Sequence, residues 1–566
     1  MVRKRLFALI CAITFIFLFV FIRLFYVQVI WGKDLQIKAL DQWTRNVPVL
    51  AKRGEIVDRN GVVLATSKKT YTIFVRPRAV TKLDETVAVL SEIFNLNEQE
   101  LKQKITTTKV SEIKIAKHVG KEYIDKLSNY SLSGVYFAED VTRYYPYDSL
   151  LAQVLGYTSA DGNGISGLEY YYNTQLSGTN GEILYEADLT GVDIKNKAPS
   201  YVPAVNGLNL KLTIDYEVQQ ILEAITDEAM SEYTPKSASA IVINPQSGEV
   251  LGMAMKPSLN LNNVPLGDLE TLNKLGRITL VADCYEPGST FKVLTASANV
   301  NELLKGNKNA YSLEHVYSSS RYRYVEGSKI KCWSTHEKGK HANETLADAL
   351  NNSCNPIFVD IALALGKDNF YSYLNSFGYG KVTGIDLPGE AQGMLLPKSA
   401  VLNADLARIS FGQAIAVTPI QLVTATASAI NGGKLITPYL VKEVYSSGGT
   451  LSLKTETKQT GTTVSAQTSK IISSYLEGVV SNGSGKQAYI EGYKVGGKTG
   501  TAQKYQNGVI SQGKYVMSFI GFFPADNPEY LCLVIVDEPV GGTYGSTVAA
   551  PLCKKVFESI IKVKGL

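Results

Sequence analysis

Ser289-Thr290-Phe291-Lys292, Ser353-Cys354-Asn355 and Lys498-Thr499-Gly500-Thr501 follow one another along a chain of 566 residues, 64 and then 145 positions apart. Glu286-Pro287-Gly288 precedes Ser289 and FKVLTASANV follows it, which predicts a sharp helix entry with Ser289 at its amino end. Lys292, three residues on, shares a helical face with Ser289. A lysine at its ordinary pKa is charged and takes no proton. Burial and a second cation nearby lower that pKa and turn the amine into a base. Ser353 and Asn355 come after LADALNN, a helical run closed by Pro356, so a hydroxyl and an amide in a loop can face one cleft. VGGKTGTAQKY reads as a strand whose glycines mark close backbone approach of a ligand. There Lys498, Thr499 and Thr501 suit a carboxylate, with Gly500 between the threonines, and the N–H groups of Thr501 and Ser289 suit an oxyanion. A phosphate-binding loop is excluded, because no G-x-x-x-x-G-K-[ST] pattern occurs here. Each string alone reads as a helix start, a turn or a glycine-rich hairpin; only their order and spacing argue otherwise.

Outward from these strings, the length predicts two or three domains. Hydrophobic content of 45% with 19% charged residues describes a folded chain. A net charge of +5, without a basic stripe carrying interleaved aromatics, excludes nucleic acid as a partner. Arg3-Lys4-Arg5 precedes an uncharged run, Leu6 to Ile22, long enough to cross roughly 25 Å of bilayer. No small-x-small cleavage site follows before Trp31, which favours a retained anchor over a cleaved signal peptide. The expected layout is a cytoplasmic tail at 1–5, a transmembrane anchor at 6–28, and everything beyond it outside the membrane.

From 45 to 235 short strands alternate with helices. RGEIVDRNGVVLA, Arg53 to Ala65, predicts a hairpin around Asn60-Gly61. Helices are expected near Asp84–Asn95, Glu98–Ile105 and Leu168–Leu176. A second domain restarts at Ser237 with a two-stranded pattern, continues through helices, and returns to strands at Lys494–Gln503, SFIGFFPA and EYLCLVIVDE. A helix over Val548 to Val563 closes it, and no further module follows. Strands at both ends with helices between predict an α+β domain on a largely antiparallel sheet, over 237–566. Residues 446–468 read as a loop or poorly ordered hairpin.

The ordered set S-x-x-K, S-x-N and K-T-G resembles that of penicillin-binding proteins and serine β-lactamases. With RGEIVDRNGVVLA, GLEYYYNTQLSGTNG and SFGQAIAVTPIQL (Ser410 to Leu422), the resemblance extends over most of the chain to class B penicillin-binding proteins. It is closest in kind to the division, elongation and sporulation enzymes of Firmicutes, without PASTA modules. The resemblance implies an elongated mixed α/β pedestal, or dimerisation, domain ahead of a transpeptidase domain. It implies a peptidoglycan D,D-transpeptidase in which Ser289 is acylated by a stem peptide, releasing D-Ala, or by a β-lactam. Lys292, Ser353, Asn355 and Lys498 would be catalytic, and Thr499, Gly500 and Thr501 would bind substrate. A membrane glycan polymerase of the SEDS family is the implied partner, and no cofactor is required. Two rivals stand beside this reading: a membrane-bound β-lactamase or β-lactam sensor, and a non-catalytic division scaffold.

Cys11 falls in the anchor, leaving an odd number of cysteines outside the membrane, which argues against a complete disulfide framework. Cys532 and Cys553 read as small apolar residues of a strand and a helix. Cys332 and Cys354 admit three readings: a disulfide, packed thiols, or thiolate ligands of a structural Zn2+. The expected ligand set is Asp283, Cys332, His341 and Cys354, with His336 and Cys284 in reserve.

Overall fold

The computed structural model describes residues 2–33, 35, 44–107, 110, 112–186, 200–318, 320–334, 341–506, 509–542 and 544–566. The chain forms two compact units, Met1–Lys52 with Gly178–Gly207, and Arg53–Ser177 with Leu208–Leu566.

In the first unit the apolar run forms the helix Val2–Phe25, continued by a wider turn over Tyr26–Ile30, with no buried residue. Among the described residues it is the one helix long and apolar enough to cross a membrane. A three-stranded antiparallel sheet, Thr44–Val49, Gly181–Glu186 and Ser200–Val202, makes up the remainder.

The second unit is built on two main sheets, with two smaller two-stranded ones beside them. In the first, the expected hairpin forms between Ile56–Val57 and Val63–Val75, where Asp58 Oδ1 accepts from the N–H groups of Asn60 and Val62. Asn209–Leu212 pairs with this hairpin on one side and with Val441–Tyr445 on the other. Packing is therefore continuous across residue 236, although the sequence pattern restarts at Ser237. Helices occupy Leu83–Phe94 and Glu98–Thr107. The helix expected at Leu168–Leu176 is instead two short ones, Gly167–Tyr171 and Asn173–Ser177. Glu169, fully buried, binds the guanidinium groups of both Arg53 and Arg143.

The second sheet has five antiparallel strands in the order Val250–Lys256, Ser237–Ile243, Tyr530–Asp537, Val509–Phe523, Gly496–Gln506. Its period-2 alternation feeds two cores. Cys532, Val534 and Val536 pack with Cys553 and Phe557 of the closing helix Gly545–Lys564. Leu531, Leu533 and Ile535 face the layer containing the helices Lys292–Leu304, Pro419–Ile430 and Ala466–Ser481. A strand buried on both faces reads as a continuous apolar run, which is why YLCLVIV lacks polar positions. Residues 446–468 are more regular than expected. Leu451–Lys454 pairs with Val441–Tyr445, and Gln459–Thr462 with Lys434–Ile436, so the two strands belong to different sheets.

Candidate active site

Pro287 leads into a tight 3-10 turn, Gly288–Phe291, that runs directly into the helix Lys292–Leu304. Gly288 adopts φ 55°, and a Cβ there would lie 3.2 Å from Thr501 O. Glycine thus lets the serine turn press against the Gly496–Gln506 strand. The turn is held from behind by SFGQAIAVTPIQL. Gly288 N–H donates to Gly412 O at 3.0 Å, Ala414 N–H to Glu286 Oε1 at 2.9 Å, and Tyr285 and Val417 exchange backbone bonds. Burial raises the Glu286 carboxyl pKa above its ordinary value.

The second string sits at a helix junction. Leu346–Asn352 ends at Ser353, whose φ of 55° is left-handed, a conformation that costs a non-glycine residue about 1–2 kcal/mol. Asn355 opens the next helix, Asn355–Ser376, so Pro356 starts a new helix instead of closing the run before it. Proline lacks an N–H and favours the first helical turn, which accounts for the difference.

Lys292, fully buried, reaches across to this junction. Its Nζ donates to Ser353 O at 2.8 Å, Ser353 Oγ at 3.1 Å and Asn355 Oδ1 at 2.6 Å. Desolvation lowers its pKa to about 8, against the opposing pull of Cys332, Cys354 and Glu344. Lys498 is also fully buried, and its pKa is pushed well below the ordinary value by desolvation and then by the Lys292 charge. Its Nζ lies 3.4 Å from Thr499 Oγ1, and Thr499 Oγ1 lies 3.4 Å from Ser484 Oγ. Gly545 N–H donates to Thr501 Oγ1 at 2.9 Å, fixing the strand to the closing helix. A Cβ on Gly500 would meet Ser518 Oγ at 2.4 Å and Thr290 Cγ2 at 3.0 Å, so a side chain there would force Ser518 to move.

Ser289, Ser353, Asn355, Thr499 and Thr501 line one cavity of about 260 Å³. Its remaining walls were not anticipated from sequence: Trp333, Ser484, Tyr515, Tyr544 and Ser546. Trp333 and Tyr544 meet edge to face with ring centroids 6.0 Å apart, and Trp333 Nε1 donates to Asn352 O.

Behind this wall Cys332, His341 and Cys354 are all buried, with one potential ligand atom from each lying within 4.8 Å of the others. Cys332 Sγ is 3.7 Å from His341 Nδ1 and 4.0 Å from Cys354 Sγ. Asp283 does not join them. It ends the short helix Thr279–Ala282, is half exposed, and pairs with Arg277. Cys284 is half-buried and lies outside the group, and His336 falls outside the described residues.

Residues 238–558 match the penicillin binding protein transpeptidase domain, and residues 48–212 the penicillin-binding protein dimerisation domain. The chain belongs to the penicillin-binding proteins, in the class B arrangement of a dimerisation domain followed by a transpeptidase domain. It is 39% identical over 573 residues to stage V sporulation protein D of Bacillus subtilis, covering all of this chain and 86% of that protein. It is 28% identical to the peptidoglycan D,D-transpeptidase FtsI of Escherichia coli, covering 99% of this chain and 92% of the other. Penicillin binding protein 2X from Streptococcus thermophilus shares the fold, with a TM-score of 0.74 at 24% identity, over 92% of this chain and 81% of that one.

Proposed function

We propose that this protein is a serine D,D-transpeptidase that cross-links peptidoglycan stem peptides and is acylated by β-lactams. The observation that carries the reading is the bonding of Lys292 to both Ser353 and Asn355 at the edge of the cavity that Ser289, Thr499 and Thr501 also line. In this reading Ser289 Oγ attacks the penultimate D-Ala carbonyl, and neutral Lys292 takes its proton. Ser353 passes that proton to the departing D-Ala amine. Asn355 holds the substrate amide, while Lys498, Thr499 and Thr501 bind the terminal carboxylate, with Gly500 allowing the strand to approach. An amine from a neighbouring stem then takes the acyl group.

The domain assignment that goes with it is a pedestal over 45–235 and a transpeptidase domain over 237–566. The anchor places its basic end in the cytoplasm and the catalytic domain outside. A SEDS-family polymerase supplies the glycan strands. The relatives named for stage V of sporulation and as FtsI support a role in wall synthesis during sporulation or division. Release of D-Ala from a stem pentapeptide tests the reading. A penicilloyl adduct that persists for many minutes supports it, and turnover of penicillin within seconds favours the β-lactamase alternative.

No cofactor enters this chemistry. The Cys332, His341 and Cys354 group suits a structural Zn2+, since two sulfurs bound tetrahedrally at 2.3 Å lie about 3.8 Å apart. Such an ion would brace the wall beneath Trp333 and take no part in acyl transfer. Metal analysis tests this: stoichiometric zinc that is lost in Cys332→Ser supports it, and absence of zinc from the purified protein contradicts it.

A further inference from the structure

The antiparallel hairpin Tyr322–Val325 with Ser328–Lys331 lies immediately before Trp333 and is fixed to the catalytic cleft, since Asn355 Nδ2 donates to Lys331 O at 3.2 Å. Its register places Tyr322 opposite Lys331 and Tyr324 opposite Lys329. Side chains alternate across a strand, so these four share one face. The other face carries Val325 and Ile330, which are buried with Val359 and Phe411, and Arg323, which pairs with Asp360. The hairpin is thus seated on the protein by its inner face and presents two tyrosines and two lysines outward.

That outer face is organised and electrostatically unbalanced. Lys329 Nζ sits 3.9 Å from the Tyr322 ring centroid and 5.8 Å from that of Tyr324. Tyr324 is 66% exposed. Among the described residues no carboxylate pairs with Lys329 or Lys331. The hairpin's own acid, Glu326, is engaged at the turn by Asn403 Nδ2 and Ala404 N. An exposed aromatic face next to a cation fixed over a second ring, with another cation alongside, suits a ligand with flat apolar ring faces and regularly placed carboxylates.

We infer that this hairpin is a docking platform for the substrate polymer itself, a glycan strand bearing anionic stem peptides, on the Trp333 side of the cleft. The inference rests on the transpeptidase reading and extends it from the reacting peptide to the strand that carries it. A sugar ring packs on Tyr324, beside the Lys329-capped Tyr322, and stem-peptide carboxylates meet Lys329 and Lys331. Long-range positive charge would also speed capture of the polymer, an effect that salt screens.

Co-sedimentation of the full-length protein with un-cross-linked, pentapeptide-bearing glycan strands tests it, alongside strands stripped of their peptides by an amidase. Lys329→Glu and Tyr324→Ser should each weaken binding to peptide-bearing strands by about tenfold, equivalent to about 1.4 kcal/mol. The Lys329→Glu loss should shrink on stripped strands, whereas the Tyr324→Ser loss should persist. Fluorescent-penicillin labelling should stay within about twofold of wild type in both, since a small β-lactam does not reach the hairpin. Unchanged strand binding in both variants overturns the inference. So does a parallel loss of penicillin labelling, which would make the hairpin a support for the cleft. Anionic lipid vesicles competing as well as strands would overturn it too, by assigning the face to the membrane. A wild-type protein that takes penicillin yet binds no strands sinks the platform alone; one that takes no penicillin sinks the transpeptidase reading beneath it.

Discussion

Lys292 Nζ lies 2.6 Å from Asn355 Oδ1, a bond between residues 63 positions apart that joins the fully buried lysine of the first string to the second string at the cavity wall. As an ammonium, Lys292 spends all three protons on Ser353 O, Ser353 Oγ and Asn355 Oδ1. As an amine it has two protons to give and a lone pair to offer. The nitrogen is therefore held where loss of one proton creates a base without moving a heavy atom.

The pH dependence of acylation follows from this. Burial depresses the Lys292 pKa to about 8, and only the neutral amine accepts the Ser289 proton. The second-order rate of penicillin acylation should rise from pH 6.5 to 9 with a midpoint near 8, as read by stopped-flow mixing with a fluorescent penicillin. A rate flat across that range would remove Lys292 as the base.

Lys292→Arg keeps the charge and abolishes the base, since a guanidinium does not deprotonate. Acylation should fall about a thousandfold while the melting temperature moves far less than the activity. A variant within tenfold of wild type would contradict the assigned role.

Gly545→Ala acts from a distance. A Cβ there would lie 2.1 Å from Gly500 O and 2.7 Å from Ser518 O, both backbone atoms, so the closing helix and the Gly496–Gln506 strand must separate. Misplacing reacting groups by about 1 Å costs about 100-fold in rate. Acylation should drop by about that factor even where circular dichroism shows a folded protein.

Glu169→Ala tests the pedestal. It strands the Arg53 and Arg143 guanidinium groups, whose side chains are only 7% and 3% exposed. Breaking a buried ion pair from one side costs about 3–5 kcal/mol. Thermal unfolding should shift well down, and more than for Glu169→Gln, while acylation per folded molecule stays near wild type.

The catalytic strings were readable because the chemistry restricts residue type at each position and their order is improbable by chance. The sheet was readable where alternation or an unbroken apolar run left one interpretation, as in YLCLVIV. Other features leave no such mark. Trp333 and Tyr544 are single aromatics in irregular segments, and only the fold brings them within 6.0 Å of each other. Asp283 looked like a metal ligand by its nearness in sequence to Cys284 and Ser289, but its local partner Arg277 turns it elsewhere. At Asn355 the proline that follows signals a helix start as readily as a stop, and sequence alone does not choose between them. Residues 451–462 carry polar strands whose partners come from two separate sheets, so no local hairpin pattern announces them.

The central claim is that Ser289 is the group acylated in a site shared by all three strings. Mass spectrometry of the penicillin-treated protein, digested and sequenced, tests it most directly. The account predicts one penicilloyl group, carried on the peptide containing Ser289 and absent from Ser289→Ala. An adduct that survives in Ser289→Ala, or that maps to another residue, would contradict it.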